Sequence, residues 1–471
     1  MKIKFCGADR TVTGSQHLLE INGKKILLDC GLFQGKRQDA YDINRSFLYD
    51  PKELHCVILS HAHIDHSGNL PTLYSKGFDG SIYSTTATKD LCSIMLLDSA
   101  HIQEKDTEYV NKKRLRQNLA PFKPLYKMED AKRVLGNFKT VSYRKSFCID
   151  GLKECVSVEY FDAGHILGSA MIVMTINEGS RKIRFAFTGD IGRPGLPIIK
   201  DPEFIGNVDF IISESTYGGR VHDKSNMMDD QLEAVLKDAI SRGGKTIIPA
   251  FSVGRTQEII YSLSKLFEKG SIPSIPVFID SPLSIKATDI FKLHPECYDS
   301  EFASMILSGV KTFELPNLRY TQSVDESKRL NSVNEPCIIV SASGMAESGR
   351  VLHHLKNNIE DPKSTVLIVG YMAEHTLGRR LIESRNSENA TVRIFGDEYY
   401  VHAKVVVLNS FSAHADRDEL MEYFDNFDRN QMQKIFLVHG EIDQQEAFKD
   451  GLRNMNFKDI EIPVKGQEVD L

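Results

Sequence analysis

The segment His61-Ala62-His63-Ile64-Asp65-His66 constrains this chain more than any other stretch of it. Four potential metal ligands stand within six residues, directly behind the apolar run Val57-Ile58-Leu59. A short apolar run reads as a buried strand, and the segment leaving its end is a loop where ligands can converge. His61 and His63 alternate, so an extended backbone aims both side chains the same way. Asp65 and His66 follow where the chain turns, just before Gly68 and Pro71. One zinc ion takes three or four nitrogen, sulfur or carboxylate ligands. The cluster is too large for one half-site and too small for two complete ones, so it predicts a two-metal site finished by distant residues. The plainer reading, surface histidines on a loop, needs three His and an Asp to meet by chance behind a buried strand.

Composition limits the alternatives. A chain of 471 residues exceeds one ordinary domain, and 41% hydrophobic content is enough for sizeable cores. A formal net charge of −6 argues against broad, non-specific nucleic-acid binding. A bound pair of dications would reverse the local field, so specific binding at such a site stays open. The cysteines at 6, 30, 56, 92, 148, 155, 297 and 337 stand alone, with no CxxC pair. Neither a zinc ribbon nor a thioredoxin-like motif is indicated, and solitary cysteines fit a reducing cytoplasm. No signal peptide or membrane-spanning apolar run is apparent, so a cytoplasmic protein is expected.

Residues 1 to about 215 read as strand-rich. Ile3 to Phe5, His17 to Ile21 and Lys25 to Leu28 alternate or run apolar, and Asn22-Gly23 marks a tight hairpin. Residues 88–135 turn to helical spacing, and strands resume at Val156 to Phe161, Ala170 to Ile176, Ile183 to Phe187 and Phe210 to Ile212. Two packed sheets between helical layers are expected. From 216 to 400 strand and helix alternate, which predicts a parallel sheet covered by helices, with ligands at the carboxyl ends of its strands. From 401 strands return. The simplest organisation is a first domain of 1–215 and 401–471 interrupted by an inserted α/β domain, 216–400.

Further strand ends carry ligand-type residues. Asp29 ends Ile26-Leu27-Leu28, His165 follows strand 156–161, Asp190 lies in Phe187-Thr188-Gly189-Asp190, and His439 follows Phe436-Leu437-Val438. Each alone has an ordinary alternative as a turn former or a satisfied polar residue. Together they are acid and imidazole groups at strand exits, as a strand-edge metal centre needs.

In this order the residues Asp29, His61/His63/Asp65/His66, His165 and Asp190 resemble the metallo-β-lactamase superfamily. Glu214 in Ser213-Glu214-Ser215-Thr216-Tyr217-Gly218, His414 in Phe411-Ser412-Ala413-His414 and His439 in Val438-His439-Gly440-Glu441 resemble the three extra motifs of its β-CASP branch. That branch contains RNA- and DNA-processing nucleases, including the pre-mRNA 3′-end endonuclease and bacterial J-type ribonucleases. The likeness covers nearly the whole chain. It implies an αββα sandwich carrying an inserted α/β β-CASP domain. It implies two zinc ions, with manganese or iron as substitutes: His61, His63 and His165 on one, Asp65, His66 and His439 on the other, and Asp190 bridging. Asp29 would orient ligands from behind. A hydroxide activated by both metals would attack phosphorus, with His414 as general acid and Glu214 orienting it. Asp65 and Asp190 would serve catalysis as well as binding.

The inserted domain offers Ser341, Ser343 and Gly344 as candidate phosphate contacts at a strand end. Two departures from the family pattern stand out. His375 replaces a glycine and reads as an exposed loop histidine, and Ala346-Glu347-Ser348-Gly349 lacks the glycine pair expected before Arg350. Lys112, Lys113, Arg114 and Arg116 read as a solvated helix face. A zinc-dependent ribonuclease acting on single-stranded RNA is the leading expectation, with a homodimer compatible. A DNA-processing nuclease of the same branch is disfavoured because in that group the position matching His439 is usually not histidine. A catalytically silent scaffold subunit is disfavoured because such relatives lose ligands that this chain keeps.

Overall fold

A computed structural model of the chain describes residues 1–471 apart from 36, 153–155, 180, 374, 386 and 388. It forms two units: Met1–Pro194 with Asp201–Val221 and His414–Leu471, and Gly195–Lys200 with His222–Ala413.

Two seven-stranded sheets build the first unit. In one, the hairpin Gln16–Ile21 and Lys24–Leu28 turns on Asn22 and Gly23, both at positive φ, as a two-residue hairpin with matching twist requires. Parallel strands Leu54–Ile58, Ser81–Ser84 and Phe138–Thr140 extend that sheet. In the other, Val156–Asp162, Ala170–Glu178 and Arg181–Phe187 run antiparallel, and Phe210–Ser213 and Lys434–Leu437 join in parallel. The alternation of strand side chains sets what packs where. Phe5, Leu19, Ile26, Leu28 and Ile58 from one sheet meet Tyr160, Ile172, Phe185, Phe187 and Phe436 from the other in a central core. Residues one step out of phase in the second sheet, such as Ile211, Ile435 and Leu437, pack with Leu420, Phe424, Phe448 and Leu452 of helices Arg417–Asp425 and Ile442–Asn454. Sheets therefore face each other and helices lie outside, the layering of an αββα sandwich.

The chain leaves Leu28, Ile58, Asp162, Phe187, Ser213 and Leu437 at strand ends that each lead into one of the ligand-type residues. Strands buried on their inner face hold these ends rigidly, and the loops beyond them carry the polar groups.

The second unit is a six-stranded sheet in the order Leu318–Tyr320, Val277–Asp280, Ile338–Ser341, Thr246–Pro249, Thr365–Ile368, Lys404–Val407, all parallel. Ile247, Ile339, Val366 and Ile368 pack with Val351, Leu355, Leu377 and Leu381 of the covering helices. Strand Lys404–Val407 pairs with Thr365–Ile368, so residues 401–413 lie in this unit, whereas the sequence reading ended the insertion at 400. Its pattern Val405-Val406-Val407 marks a strand but says nothing about which sheet it joins. Among the described residues no helix is long and apolar enough to cross a membrane.

Candidate metal centre

The loop after Leu54–Ile58 and the short helix Ile64–Ser67 present His61, His63, Asp65 and His66 in turn. Asp29 sits behind them, fully buried. Its carboxylate accepts from the Ser60 amide at 2.8 Å and the Ser60 hydroxyl at 2.8 Å, and contacts His66 Nδ1 at 2.7 Å. Asp29 is thus occupied by the chain itself. It fixes His66 so that Nε2 faces the other ligands, the arrangement by which an outer carboxylate orients a metal-ligating imidazole.

Two groups of ligand atoms converge. His61, His63, His165 and Asp190 form one, and Asp65, His66 and His439 form the other. In the first, His63 Nδ1 lies 3.1 Å from His61 Nε2 and 3.1 Å from His165 Nε2. Asp190 Oδ2 lies 3.5 Å and 3.4 Å from those same two Nε2 atoms. In the second, His66 Nε2 and His439 Nε2 face each other at 3.2 Å, and Asp65 Oδ2 is 3.6 Å from His439 Nε2. Asp190 Oδ1 reaches this group too, 3.3 Å from His66 Nε2. One carboxylate therefore has an oxygen toward each group.

The donor set fits metal cations. Asp190 is buried, and its Oδ1 finds no hydrogen-bond donor. One imidazole can donate to another, but the three nitrogens of His61, His63 and His165 that meet here cannot all be satisfied by one another, whereas a cation at their common point takes every lone pair. Electrostatics point the same way. Burial drives His61 and His165 well below the ordinary imidazole range and takes His63 down to about 4, which favours the neutral form a metal-binding imidazole needs. Burial also opposes the charged form of His66, but the carboxylates of Asp190 and Asp29 outweigh it and raise His66 well above its usual value. Burial would raise Asp190, yet the surrounding imidazoles of His439, His66, His414 and His61 hold it well below the carboxylate range. A position that draws a proton so strongly is a position for positive charge.

His414 and Glu214 lie beside this centre. His414 Nδ1 is 3.1 Å from Glu214 Oε2 and 3.9 Å from Asp190 Oδ2. Glu214 is fully buried, and its Oε1 accepts the Ile191 amide. Burial opposes charge on His414, but Glu214 first and Asp190 next raise it to about 9. Glu214 thus favours the protonated form of His414 and meets it on the Nδ1 side. The trio His414, Glu214 and Asp190 also satisfies the spacing of a ligand group.

In the second unit, the Ser341 hydroxyl is buried and donates to the Asp280 carbonyl at 3.1 Å. Ser343 Oγ accepts the amides of Glu347 at 3.1 Å and Ser348 at 3.3 Å, holding its own loop. Gly344 lies flat against Phe251, where a Cβ would come within 2.6 Å of the ring. His375 is exposed with φ +67°, and its carbonyl accepts from Arg380 at 2.7 Å. On helix Thr86–Arg116, the Arg114 guanidinium stacks 4.1 Å over Phe122; the Lys113 side chain lies outside the described residues.

Comparison with known proteins bears on these observations together. The chain is 33% identical over 441 residues to Ribonuclease TTHA0252 of Thermus thermophilus, across 94% of this chain and 93% of that protein. The model of a metallo-beta-lactamase superfamily domain matches residues 18–188, that of a Beta-Casp domain 256–381, and that of a Zn-dependent metallo-hydrolase RNA specificity domain 398–463. The chain belongs to the Beta-Casp branch of the metallo-beta-lactamase superfamily. Further relatives of the family member are the RNase J-like protein of Methanocaldococcus jannaschii, 31% identical over 95% of this chain and 94% of that one, and Transcription termination factor FttA of Methanosarcina mazei, 29% identical over 94% of this chain and 67% of its own length. A crystal structure of a protein of unknown function from Enterococcus faecalis V583 shares the fold at TM-score 0.53 with 12% identity, covering 100% of this chain and 99% of that one.

Sequence reasoning passed over three contributors. Ser60 bonds Asp29 and also lies 3.0 Å from His61 Nδ1. Thr216 bonds Glu214, and Asp280 gathers Arg350, His354 and Ser327 in the second unit. Adjacency to His61 and Glu214 was the only available signal for the first two. For Asp280 there was only its position at a strand end.

Proposed function

We propose that this family member is a zinc-dependent ribonuclease that hydrolyses phosphodiester bonds of single-stranded RNA. The observation that carries the reading is Asp190 with one oxygen toward each ligand group and the His414 imidazole held beside it by a buried carboxylate. The relatives named as ribonucleases, and the RNA specificity model over residues 398–463, support RNA as the substrate.

His61, His63 and His165 would hold one cation, Asp65, His66 and His439 the other, and Asp190 both. Bound there, two zinc ions supply Lewis acidity at the phosphate and an activated water at neutral pH, and manganese or iron could take their place. Asp65 and Asp190 stay ionised and accept hydrogen bonds from the attacking water, orienting it. Burial opposes charge on Asp65, but the neighbouring imidazoles of His439 and His66 outweigh it and keep its carboxyl below the carboxylate range. His414 hands a proton to the departing ribose oxygen, which would otherwise leave as a strongly basic alkoxide. Glu214 keeps the imidazolium formed and aimed. In the second unit, the Ser341 to Gly344 loop would contact an RNA phosphate through backbone amides, holding RNA without reading its bases. The described free cysteines suit a reducing cytoplasm, where we place the enzyme.

Incubating the protein with RNA labelled at either end, with zinc or with chelator, tests this directly. Zinc-dependent shortening that stops with chelator is expected, and the labels report endo- or exonucleolytic action and its direction. Turnover of DNA alone, or cleavage that survives metal removal, would overturn it.

A further inference from the structure

Thr216 stands where the two halves of the chemistry touch. Strands Phe210–Ser213 and Lys434–Leu437 are parallel neighbours, so the segments leaving them, 214–216 and 438–440, run side by side. The fit between them is close. Ser215 N–H bonds the His439 carbonyl at 3.2 Å, Ser215 Oγ donates to the Val438 carbonyl at 2.6 Å, and a Cβ on Gly440 would collide with Ser215. Buried in this seam, Thr216 Oγ1 lies 2.6 Å from Glu214 Oε2 and 3.2 Å from His439 Nδ1.

A hydroxyl has one proton to give. The short contact to a carboxylate claims it, since a charged acceptor makes the stronger bond. The His439 carbonyl, also 3.2 Å away, is the weaker competitor. With its proton on Glu214, Oγ1 can only accept from the ring, which calls for the His439 proton on Nδ1; Asp190 Oδ1, 3.4 Å from the same Nδ1, favours that tautomer too but is the longer contact. Nε2 is then a lone pair, and it is Nε2 that faces His66 and Asp65. On the other side, Glu214 receives the Thr216 proton on Oε2 and keeps its remaining lone pairs for His414 Nδ1.

We propose that Thr216 is a positioning residue that sets the tautomer of the metal ligand His439 and the orientation of Glu214 behind the acid His414 with a single hydroxyl. The hydrogen-bonded order is His439 Nδ1–H to Thr216 Oγ1, Thr216 Oγ1–H to Glu214, and His414 Nδ1–H to Glu214. The cation held by Asp65, His66 and His439 and the proton donor thus depend on one side chain that touches neither RNA nor metal. This inference rests on the two-metal reading above.

The test uses the full-length, zinc-loaded protein and three forms: wild type, Thr216→Val, which keeps the shape and loses the hydroxyl, and Thr216→Ser, which keeps the hydroxyl. Zinc occupancy is titrated against a competing chelator. Losing an outer partner of a ligating histidine weakens metal binding by about 10–100-fold. Thr216→Val is expected to weaken one of two zinc ions by that factor and leave the other unchanged. With zinc restored to saturation, kcat stays depressed at unchanged KM. Thr216→Ser is expected to match wild type in both. Wild-type protein that binds a single zinc would refute the two-metal reading. Wild type with two zinc ions and Thr216→Val with the same two affinities would refute the role of Thr216. Should Thr216→Val not fold, histidine-selective ¹⁵N spectra of zinc-loaded wild type and Thr216→Ser decide it: a proton on His439 Nδ1 hydrogen-bonded in both upholds the chain, and a proton on Nε2 in either refutes it.

Discussion

Asp190 in the first unit and Asp280 in the second are both buried aspartates where a strand ends among histidines, and they do opposite things. Around Asp280 the valences are closed. Arg350 bonds Oδ1 at 2.6 Å, His354 Nε2 and Ser327 reach Oδ2 at 2.7 and 2.5 Å, and the Arg350 guanidinium goes on to the carbonyls of Thr321 and Gln322. Around Asp190 they are open. Oδ1 has no hydrogen-bond donor, and the imidazole nitrogens nearest to Asp190 face one another instead of donors from the scaffold. A saturated acid holds two segments together. An acid with an open oxygen, among imidazoles whose nitrogens converge on one another, is a place for a cation. Composition at a strand end does not separate scaffold from site, but the hydrogen-bond count does.

Substituting the two aspartates is the most severe way to break this contrast. Asp190→Ala is expected to empty or cripple both metal positions and abolish cleavage, read as zinc per chain and as turnover of labelled RNA. Asp280→Ala should leave zinc per chain at the wild-type value. It should instead cost stability, since removing one partner of a buried ion pair strands the other at about 3–5 kcal/mol, and denaturant unfolding measures it. If Asp280→Ala lost zinc while Asp190→Ala kept it, the contrast would be reversed.

A milder change separates chemistry from metal within the first unit. His414→Ala should lower kcat by about 10²–10⁴-fold, the worth of a positioned general acid, with zinc content unchanged. Loss of zinc from this variant would place His414 among the ligands, an alternative its spacing to Asp190 and Glu214 allows.

Weaker still is the effect of tuning the acid. As the proposed general acid His414 acts in its protonated form, and against burial its value is raised to about 9, chiefly by Glu214. Activity is therefore present below that value and lost as pH rises through it. Bound cations nearby push the limb lower. Glu214→Gln removes the largest raising influence, so the alkaline limb of the kcat profile should move to lower pH. An unmoved limb would detach the two residues.

The smallest effect belongs to Ser343, whose hydroxyl caps amides of its own loop in the second unit. Ser343→Ala should cost about 0.5–2 kcal/mol in a denaturant melt, as loss of a helix cap does. A rise in RNA KM that is equal for all sequences would add phosphate contact to that structural role. A rise for one sequence alone would exclude it.

Much of this was readable from local patterns. Apolar runs with period two announced the strands, and Asp29, His61, His165, Asp190 and His439 stood at their exits. The turn at Asn22-Gly23 needed only its own two residues. Less legible were the bounds of the insertion. Lys404–Val407 reads equally well as a strand of either unit, and its partner lies in Thr365–Ile368. Least legible was which polar groups are satisfied. Ser341 and Ser343 look alike in the sequence, yet one hydroxyl is spent on Asp280 and the other on its own loop.

The sequence by itself determined which side chains can hold metal and at which strand ends they appear, because residue type and backbone period are local properties. Only the tertiary structure decided which of those groups remain unsatisfied, which nitrogen of His439 faces its fellow ligands, and that Thr216 reaches both Glu214 and, 223 positions away, His439. A hydrogen bond is settled within about 3 Å, and which atoms come within that reach depends on the packing of strands far apart in the chain.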